Sequence, residues 1–328
     1  MEVPNNIHTK AYVVARKGDP FVLRDIILDE VQPEEDVVVQ HGGMPIGSYP
    51  AVLGHEGVGT VLWVGSDVND KSIAPGDAVL LSFHSCGQCK ACLDGRCGGC
   101  PHTTDINFIN NARRGPAAKS PISLPDGTEV HGQFFGQSSL SKVVVATEKC
   151  IVKLDAKPEE LPYLAPLACG YLTGAGTMLN VLMPQPAESV AVLGVGAVGL
   201  AALMAAKALG VGQIVAVDLQ EAKLQAASSS GATHTVNTAH SPDLASALRT
   251  VLPDGVDKII DTTGVAGLLE ASVRALAHGG TLALLFRDGK FPIDRIAKIY
   301  PAEELSQAIT DLNSGQVIKP ILSWESIN

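Results

Sequence analysis

The sequence predicts an α/β plus β chain: a small, irregular, barrel-like β domain followed by a doubly wound parallel sheet. Three observations predict it. A glycine-punctuated stretch runs from Ser189 to Asp218, strand-like and helix-like runs alternate after it, and short strands without a long helix precede it.

The stretch opens with Ser189–Leu193, too brief for a helix and rich enough in valine to be a buried strand. Gly194, Gly196 and Gly199 follow, then residues 200–209 read as a helix with Gly210 as its stop. A second apolar run from Gln213 ends on Asp218. The first glycine permits a tight turn, the second lets a pyrophosphate approach the backbone, and the third lets helix and strand pack closely. The helix then offers free N–H groups and the positive end of its dipole to the phosphates. Asp218 stands nineteen residues beyond Gly199, close to the spacing at which a carboxylate accepts both adenosine ribose hydroxyls. Its charge would repel a 2′-phosphate, so NAD is expected in preference to NADP. Residues 189–206 carry no charge, nearly the length of a membrane span, but three glycines split them into two shorter elements.

After the turn, residues 223–229, 244–252 and 266–276 read as helices, and 233–236, 258–261 and 281–286 as strands. Ahead of it, strands are expected at 11–15, 21–27, 36–39, 57–64, 77–81, 143–146 and 150–154. Residues 101–131 read as a long polar insertion, and 158–183 as interrupted helix. The tail returns to a helix with Leu305, Ala308, Ile309 and Leu312 on one face, then a strand through Val317 and Ile318.

Of the 328 residues 18% are charged and 46% hydrophobic, which suits a compact enzyme-like globule and argues against disorder. The formal charge of −10 argues against nucleic acid or an anionic membrane as partner. The first six residues, Met1 to Asn6, lack the basic and then apolar succession of a signal peptide, so a reducing, cytoplasmic location is expected. There, seven cysteines point to metal or chemistry before disulfides. Cys86, Cys89 and Cys92 are spaced by threes, and Cys97 and Cys100 follow in a glycine-rich loop. Four thiolates suit a closed structural zinc site, with an iron–sulfur cluster as the competing metal; spacing does not choose between Cys97 and Cys100.

The order of Gly54-His55-Glu56-Gly57, the cysteine knuckle, Cys169-Gly170-Tyr171-Leu172-Thr173-Gly174 and the glycine turn resembles the zinc-containing medium-chain alcohol dehydrogenases over nearly the whole chain. The segment from His131 through Phe134-Phe135-Gly136 to Ser139 further resembles their aryl-alcohol branch. The resemblance implies a GroES-like barrel catalytic domain at 1–170 with a structural zinc lobe at 86–100. It also implies a Rossmann nucleotide domain at 171–286, a return to the catalytic domain at 287–328, and a cleft holding catalytic zinc. Structural zinc falls on Cys86, Cys89, Cys92 and Cys100, leaving Cys97 spare. Catalytic zinc falls on His55 and Cys169, with Glu56 the acidic neighbour that approaches the metal. Thr173 and Val198 would lie beside the nicotinamide, Lys223 beside the adenosine ribose, and Lys319 near the cofactor phosphates. Implied are zinc and NAD as cofactors, a small alcohol or aldehyde as substrate, and homo-oligomers in the family. The implied chemistry is Lewis-acid activation of the alcohol, hydride transfer to the nicotinamide, and proton release through a hydroxyl and histidine relay.

Two departures stand against this pattern. Between Val39 and Gln40 the family carries a further catalytic-zinc cysteine and the relay hydroxyl, which are missing here. Between Phe286 and Arg287 it carries the rest of its nucleotide sheet, so the last strand, and with it the edge through which members pair, is missing as well. Three readings follow: a working dehydrogenase with zinc on His55, Cys169 and Glu56, with His41 or His84 recruited; an impaired shortened member that keeps structural zinc; or a zinc-independent reductase of the superfamily.

Overall fold

The structure is a computed structural model that describes residues 6–16, 19–29, 35–36, 49–109, 119–241, 243–280, 297–314, 316–317 and 319–324. The chain divides into two compact units, Met1–Cys169 and Gly170–Asn328.

The first unit is built from short strands: β1 (Ile7–Val14), β2 (Val22–Leu28), β3 (Glu35–Asp36), β4 (Ala51–Val52), β5 (Gly57–Thr60), β6 (Ala78–Leu81), β7 (Ile122–Ser123), β8 (Glu129–Val130), β9 (Ala146–Thr147) and β10 (Ile151–Lys153). They form sheets ordered β4-β1-β2-β7-β8, β10-β6-β5 and β3-β9, the near-barrel expected from strands interrupted by Gly and Pro. β4 pairs with β1, and a bridge joins Ala51 to His131, so the loop leaving β4 starts from a fixed point. That loop carries His55 and Glu56 and enters β5 at Gly57. Helical pieces are brief: α1 (Lys90–Leu93), α2 (Leu161–Leu164) and the single turns Cys97–Gly99, Asp105–Ile109 and Ala165–Ala168. The stretch read as one polar insertion is partly regular, because Pro125-Asp126-Gly127 turns β7 back on β8, with Gly127 at φ 85° and Thr128 N–H donating to Asp126. Of the strand expected at 36–39, residues 37–39 lie outside the described residues, as do 110–118 of the insertion and His41.

The second unit opens with α3 (Gly170–Thr177). It continues with β11 (Ser189–Leu193), α4 (Ala197–Ala208), β12 (Gln213–Asp218), α5 (Glu221–Ser230), β13 (His234–Asn237), α6 (Leu244–Val251), β14 (Lys258–Asp261) and α7 (Ala266–Ala275). The parallel sheet runs β13-β12-β11-β14, so strand order reverses beside β11, where doubly wound sheets hold their ligands. All five residues of β11 are buried, as a central strand covered on both faces requires. α4 is buried continuously from Gly199 to Ala206, which explains the long uncharged run without a membrane. No helix among the described residues is long and apolar enough to cross one. The strand expected at 281–286 and the junction after Phe286 lie outside the described residues.

The tail differs from expectation. β15 (Ala297–Pro301), which the sequence did not reveal, pairs in parallel with β16 (Lys319–Ser323), and β16 starts beyond Val317. Between them α8 (Leu305–Asn313) buries Leu305, Ala308 and Asp311 and leaves Ile309 and Leu312 exposed. The helix is rotated toward Asp311 because three donors converge on that carboxylate: Lys298 Nζ at 3.0 Å, Tyr300 OH at 2.6 Å and Gln307 Nε2 at 2.6 Å. A buried charge so satisfied is tolerated where an unpaired one would not be.

Candidate metal centres and cofactor turn

The knuckle folds because its spacing matches one helical turn. Cys86 and Cys89 precede α1, Cys92 lies within it, and the turn Cys97–Gly99 brings Cys100 back. The four sulfurs of Cys86, Cys89, Cys92 and Cys100 lie within 4.8 Å of one another, with Cys86 to Cys92 at 3.9 Å and Cys89 to Cys92 at 3.4 Å. Tetrahedral zinc with bonds of about 2.3 Å would set its sulfurs roughly 3.8 Å apart, so this set fits one ion with no position left open. The structure therefore chooses Cys100 over Cys97. Backbone N–H groups of Gln88 and Cys89 donate to Cys86, holding its thiol down at about 6, toward the thiolate a metal needs. Gly87 takes φ 71° under the Lys149 side chain, whose ammonium donates to Cys86 O at 3.1 Å.

A second pair forms from distant segments. His55 Nε2 lies 3.1 Å from Cys169 Sγ. Cys169 follows the turn Ala165–Ala168, its N–H donating to Pro166 O. The separation suits two ligands of one ion, and both donors are of the type catalytic zinc takes. Glu56 is buried, yet among the described residues the one set of three or more converging ligand atoms is the four-cysteine set, so Glu56 does not complete a trio with His55 and Cys169. His84 does not either. Asn107 holds its backbone from both sides, accepting from His84 N–H at 2.9 Å and donating to His84 O at 2.8 Å. Burial first, and Lys149 second, press the His84 imidazole down to about 4, so it is neutral at physiological pH.

Around His55 stands an aromatic group that sequence reasoning missed. Phe135 stacks on the His55 ring at 4.5 Å and 22°, Phe134 meets it edge-on at 6.1 Å, and Phe108 packs against both phenylalanines at 4.9 and 5.8 Å. Aromatic residues are only 4% of the chain, so the Phe134-Phe135 doublet was the available signal. Phe135 occupies left-handed backbone, φ 56°, between Gln133 at 60° and Ser138 at 51°. Such backbone persists only where its surroundings overdetermine it. Here Ser138 Oγ donates to Val52 O, Ser139 N–H to Gly54 O, Leu140 N–H to Leu53 O, and Gln137 Nε2 to Ser82 O. The strained segment is thus laced to the loop that carries His55.

In the second unit each glycine of the turn has a visible cause. Gly194 has φ 79°, and a Cβ there would meet Thr262 and Thr263 at 2.7 Å. A Cβ on Gly199 would lie 1.9 Å from Gly194 O, whereas one on Gly196 would meet nothing within 4 Å. The space in front of Gly196 is the opening a pyrophosphate needs. Gly174 of α3 is equally constrained, since a Cβ would lie 1.7 Å from Val198 O; Thr173 beside it is exposed. Lys223 is half-buried on α5, and Lys319 opens β16. Asp218 accepts from Val195 N–H at 3.0 Å, Leu219 N–H at 2.8 Å and Gln220 N–H at 2.9 Å. A carboxylate has about four acceptor positions, so these three backbone donors fix the orientation of Asp218 and leave acceptor capacity on it.

Residues 32–156 match the family model for the alcohol dehydrogenase GroES-like domain, and 197–290 the model for a zinc-binding dehydrogenase. The chain is 30% identical to geraniol dehydrogenase of Castellaniella defragrans, covering 96% of this chain and 98% of that one. The chain belongs to the zinc-containing alcohol dehydrogenases. Among solved structures this dehydrogenase is similar to an alcohol dehydrogenase zinc-binding domain protein from Burkholderia ambifaria (TM-score 0.86, 30% identity, 97% and 99% of the two chains). It is similar as well to benzyl alcohol dehydrogenase from Acinetobacter calcoaceticus (TM-score 0.85, 30% identity, 96% and 99%). The alignment with geraniol dehydrogenase runs over 372 positions, more than the 328 residues of this dehydrogenase, so that relative carries stretches with no counterpart here.

Proposed function

We propose that this dehydrogenase oxidises a primary alcohol with an aromatic or other hydrophobic side chain to its aldehyde, with NAD as hydride acceptor. The observation that carries the proposal is the His55–Cys169 pair standing against the Phe108, Phe134 and Phe135 rings. The relatives named for benzyl alcohol and geraniol support the substrate class.

In this reading Cys86, Cys89, Cys92 and Cys100 hold structural zinc, and His55 and Cys169 supply two of the ligands for a catalytic zinc. A zinc bound there would act as a Lewis acid on the alcohol oxygen. Phe135 keeps the His55 ring from turning, and the three phenylalanine rings exclude water and receive the apolar part of the alcohol. In the second unit, the first turn of α4 binds the cofactor phosphates through its N–H groups, with Thr173, Val198, Lys223 and Lys319 as the family's further cofactor contacts. Asp218 takes a ribose hydroxyl and disfavours a 2′-phosphate. A cytoplasmic setting suits seven reduced thiols.

The cysteine and hydroxyl missing between Val39 and Gln40 set the expected rate. Misplacement of reacting atoms by about 1 Å costs on the order of a hundredfold. NADH formation from benzyl alcohol is therefore expected near background for the 328-residue chain and restored when the two family segments are inserted. Turnover of the short chain at an ordinary rate, on the order of 10 per second, would show that the residues present complete the site. Inactivity of the lengthened chain toward every hydrophobic alcohol would refute the function itself.

A further inference from the structure

The glycine turn is held by a residue outside the glycine motif. Gly194 C=O and Val195 N–H belong to one peptide group, planar by resonance, so they point to opposite sides. Asp218, at the end of β12, accepts from the Val195 N–H at 3.0 Å. Thr262, just beyond β14, presents its hydroxyl to Gly194 O at 2.8 Å, with Leu193 O a second acceptor at 3.0 Å. The two strands flanking β11 thus grip one peptide plane from its two ends. Thr262 N–H also donates to Leu193 O at 2.8 Å, and Gly194 N–H to Val217 O at 2.8 Å, which pins the residues on either side of the plane.

The plane matters because α4 rests on it. A Cβ on Gly199 would strike Gly194 O at 1.9 Å, so the first turn of α4 is seated directly against the carbonyl that Thr262 holds. Rotation of that peptide would lift the helix start and misdirect the N–H groups following Gly196, whose Cβ direction is open. We propose that Thr262 is a positioning residue for the dinucleotide pyrophosphate: by fixing Gly194 O, in opposition to Asp218 on Val195 N–H, it sets the depth and aim of the α4 N-terminus. It touches no cofactor atom in this role. The proposal rests on the dinucleotide reading above and adds a residue to it.

The test compares wild type, Thr262→Val and Thr262→Ser in binding three probes: NADH by fluorescence, ADP-ribose by calorimetry, and adenosine by ligand-observed NMR. Thr262→Val keeps shape and removes the donor. It is expected to weaken NADH and ADP-ribose about tenfold, equal to about 1.4 kcal/mol, and to leave adenosine, which has no phosphate, within twofold of wild type. Thr262→Ser is expected to restore both affinities. Equal NADH affinity in the valine variant and wild type would overturn the proposal. So would an equal loss for adenosine, which would mark a general loosening of the sheet. If the valine variant does not fold, Thr262→Ala gives the same three-probe comparison. A wild-type chain that folds yet binds neither NADH nor ADP-ribose refutes the cofactor reading itself, an outcome distinct from the two that refute the role of Thr262 alone.

Discussion

Cys86, Cys89, Cys92 and Cys100 come from fifteen consecutive residues, whereas His55 and Cys169 stand 114 residues apart. The knuckle closes short loops, so its entropic cost is small and mostly local. It converges four ligand atoms with no partner from elsewhere. The His55–Cys169 pair exists only because β4, the turn ending at Ala168 and the laced segment 133–140 are all in place. A site assembled from distant segments is vulnerable to the loss of any one of them, which a site built from one short loop is not. Damage to the dispersed pair is therefore expected to leave the knuckle intact.

Removing the structural metal should give the largest effect. Zinc contributes an apparent ~10 to 16 kcal/mol in small peptides, comparable with the ~5 to 15 kcal/mol stability of a whole domain. Cys92→Ser is expected to abolish zinc retention at the knuckle and lower the melting temperature steeply. Elemental analysis of unchelated wild type should find one firmly bound zinc per chain; a value of zero contradicts the closed site, and two tightly held ions would mean that the second site is complete.

Next comes the opposite substitution. In the lengthened, active chain, Cys169→Ala should abolish NADH formation while leaving the knuckle zinc and the melting temperature nearly unchanged. Parallel loss of both would erase the distinction between the two regions.

A smaller effect follows from His84, which lies between them in sequence. Its folded-state value, pressed by burial from 6.5 to about 4, means that the unfolded chain takes up a proton first as pH falls. Stability is therefore fully present above about 6.5 and declines as pH drops toward 4, by at most about 3 kcal/mol. Urea unfolding of wild type and His84→Asn across that interval should show the slope flattened in the variant; identical slopes would refute it.

The smallest expected change is at the aromatic group. Aromatic pairs contribute about 0.5 to 1.5 kcal/mol beyond area burial. In the lengthened chain, Phe135→Leu should lower kcat/KM for benzyl alcohol up to about tenfold, with less effect on a short aliphatic alcohol. A uniform loss for both would mean that Phe135 serves His55 alone.

By itself the sequence determined whatever depends on neighbours along the chain. Strand, glycine turn, helix and acid from Ser189 to Asp218 were legible because periodicity and glycine chemistry act over a few residues, and the knuckle because metal spacing does. His55 and Cys169 were legible as family motifs, but their approach to 3.1 Å was not, because contact between distant residues depends on how whole strands pack. Spacing left Cys97 and Cys100 open and the family motif pointed to Cys100, whose sulfur the fold brings to the other three; only the tertiary structure rotated α8 toward Asp311 instead of Ile309 and drew Phe108 to Phe135. It also brought Thr262 to the carbonyl of Gly194, through the parallel pairing of β11 with β14. Pairings of that kind carry no signature in either segment alone, since a threonine after a strand reads the same whether its hydroxyl meets water or the peptide on which a cofactor helix rests.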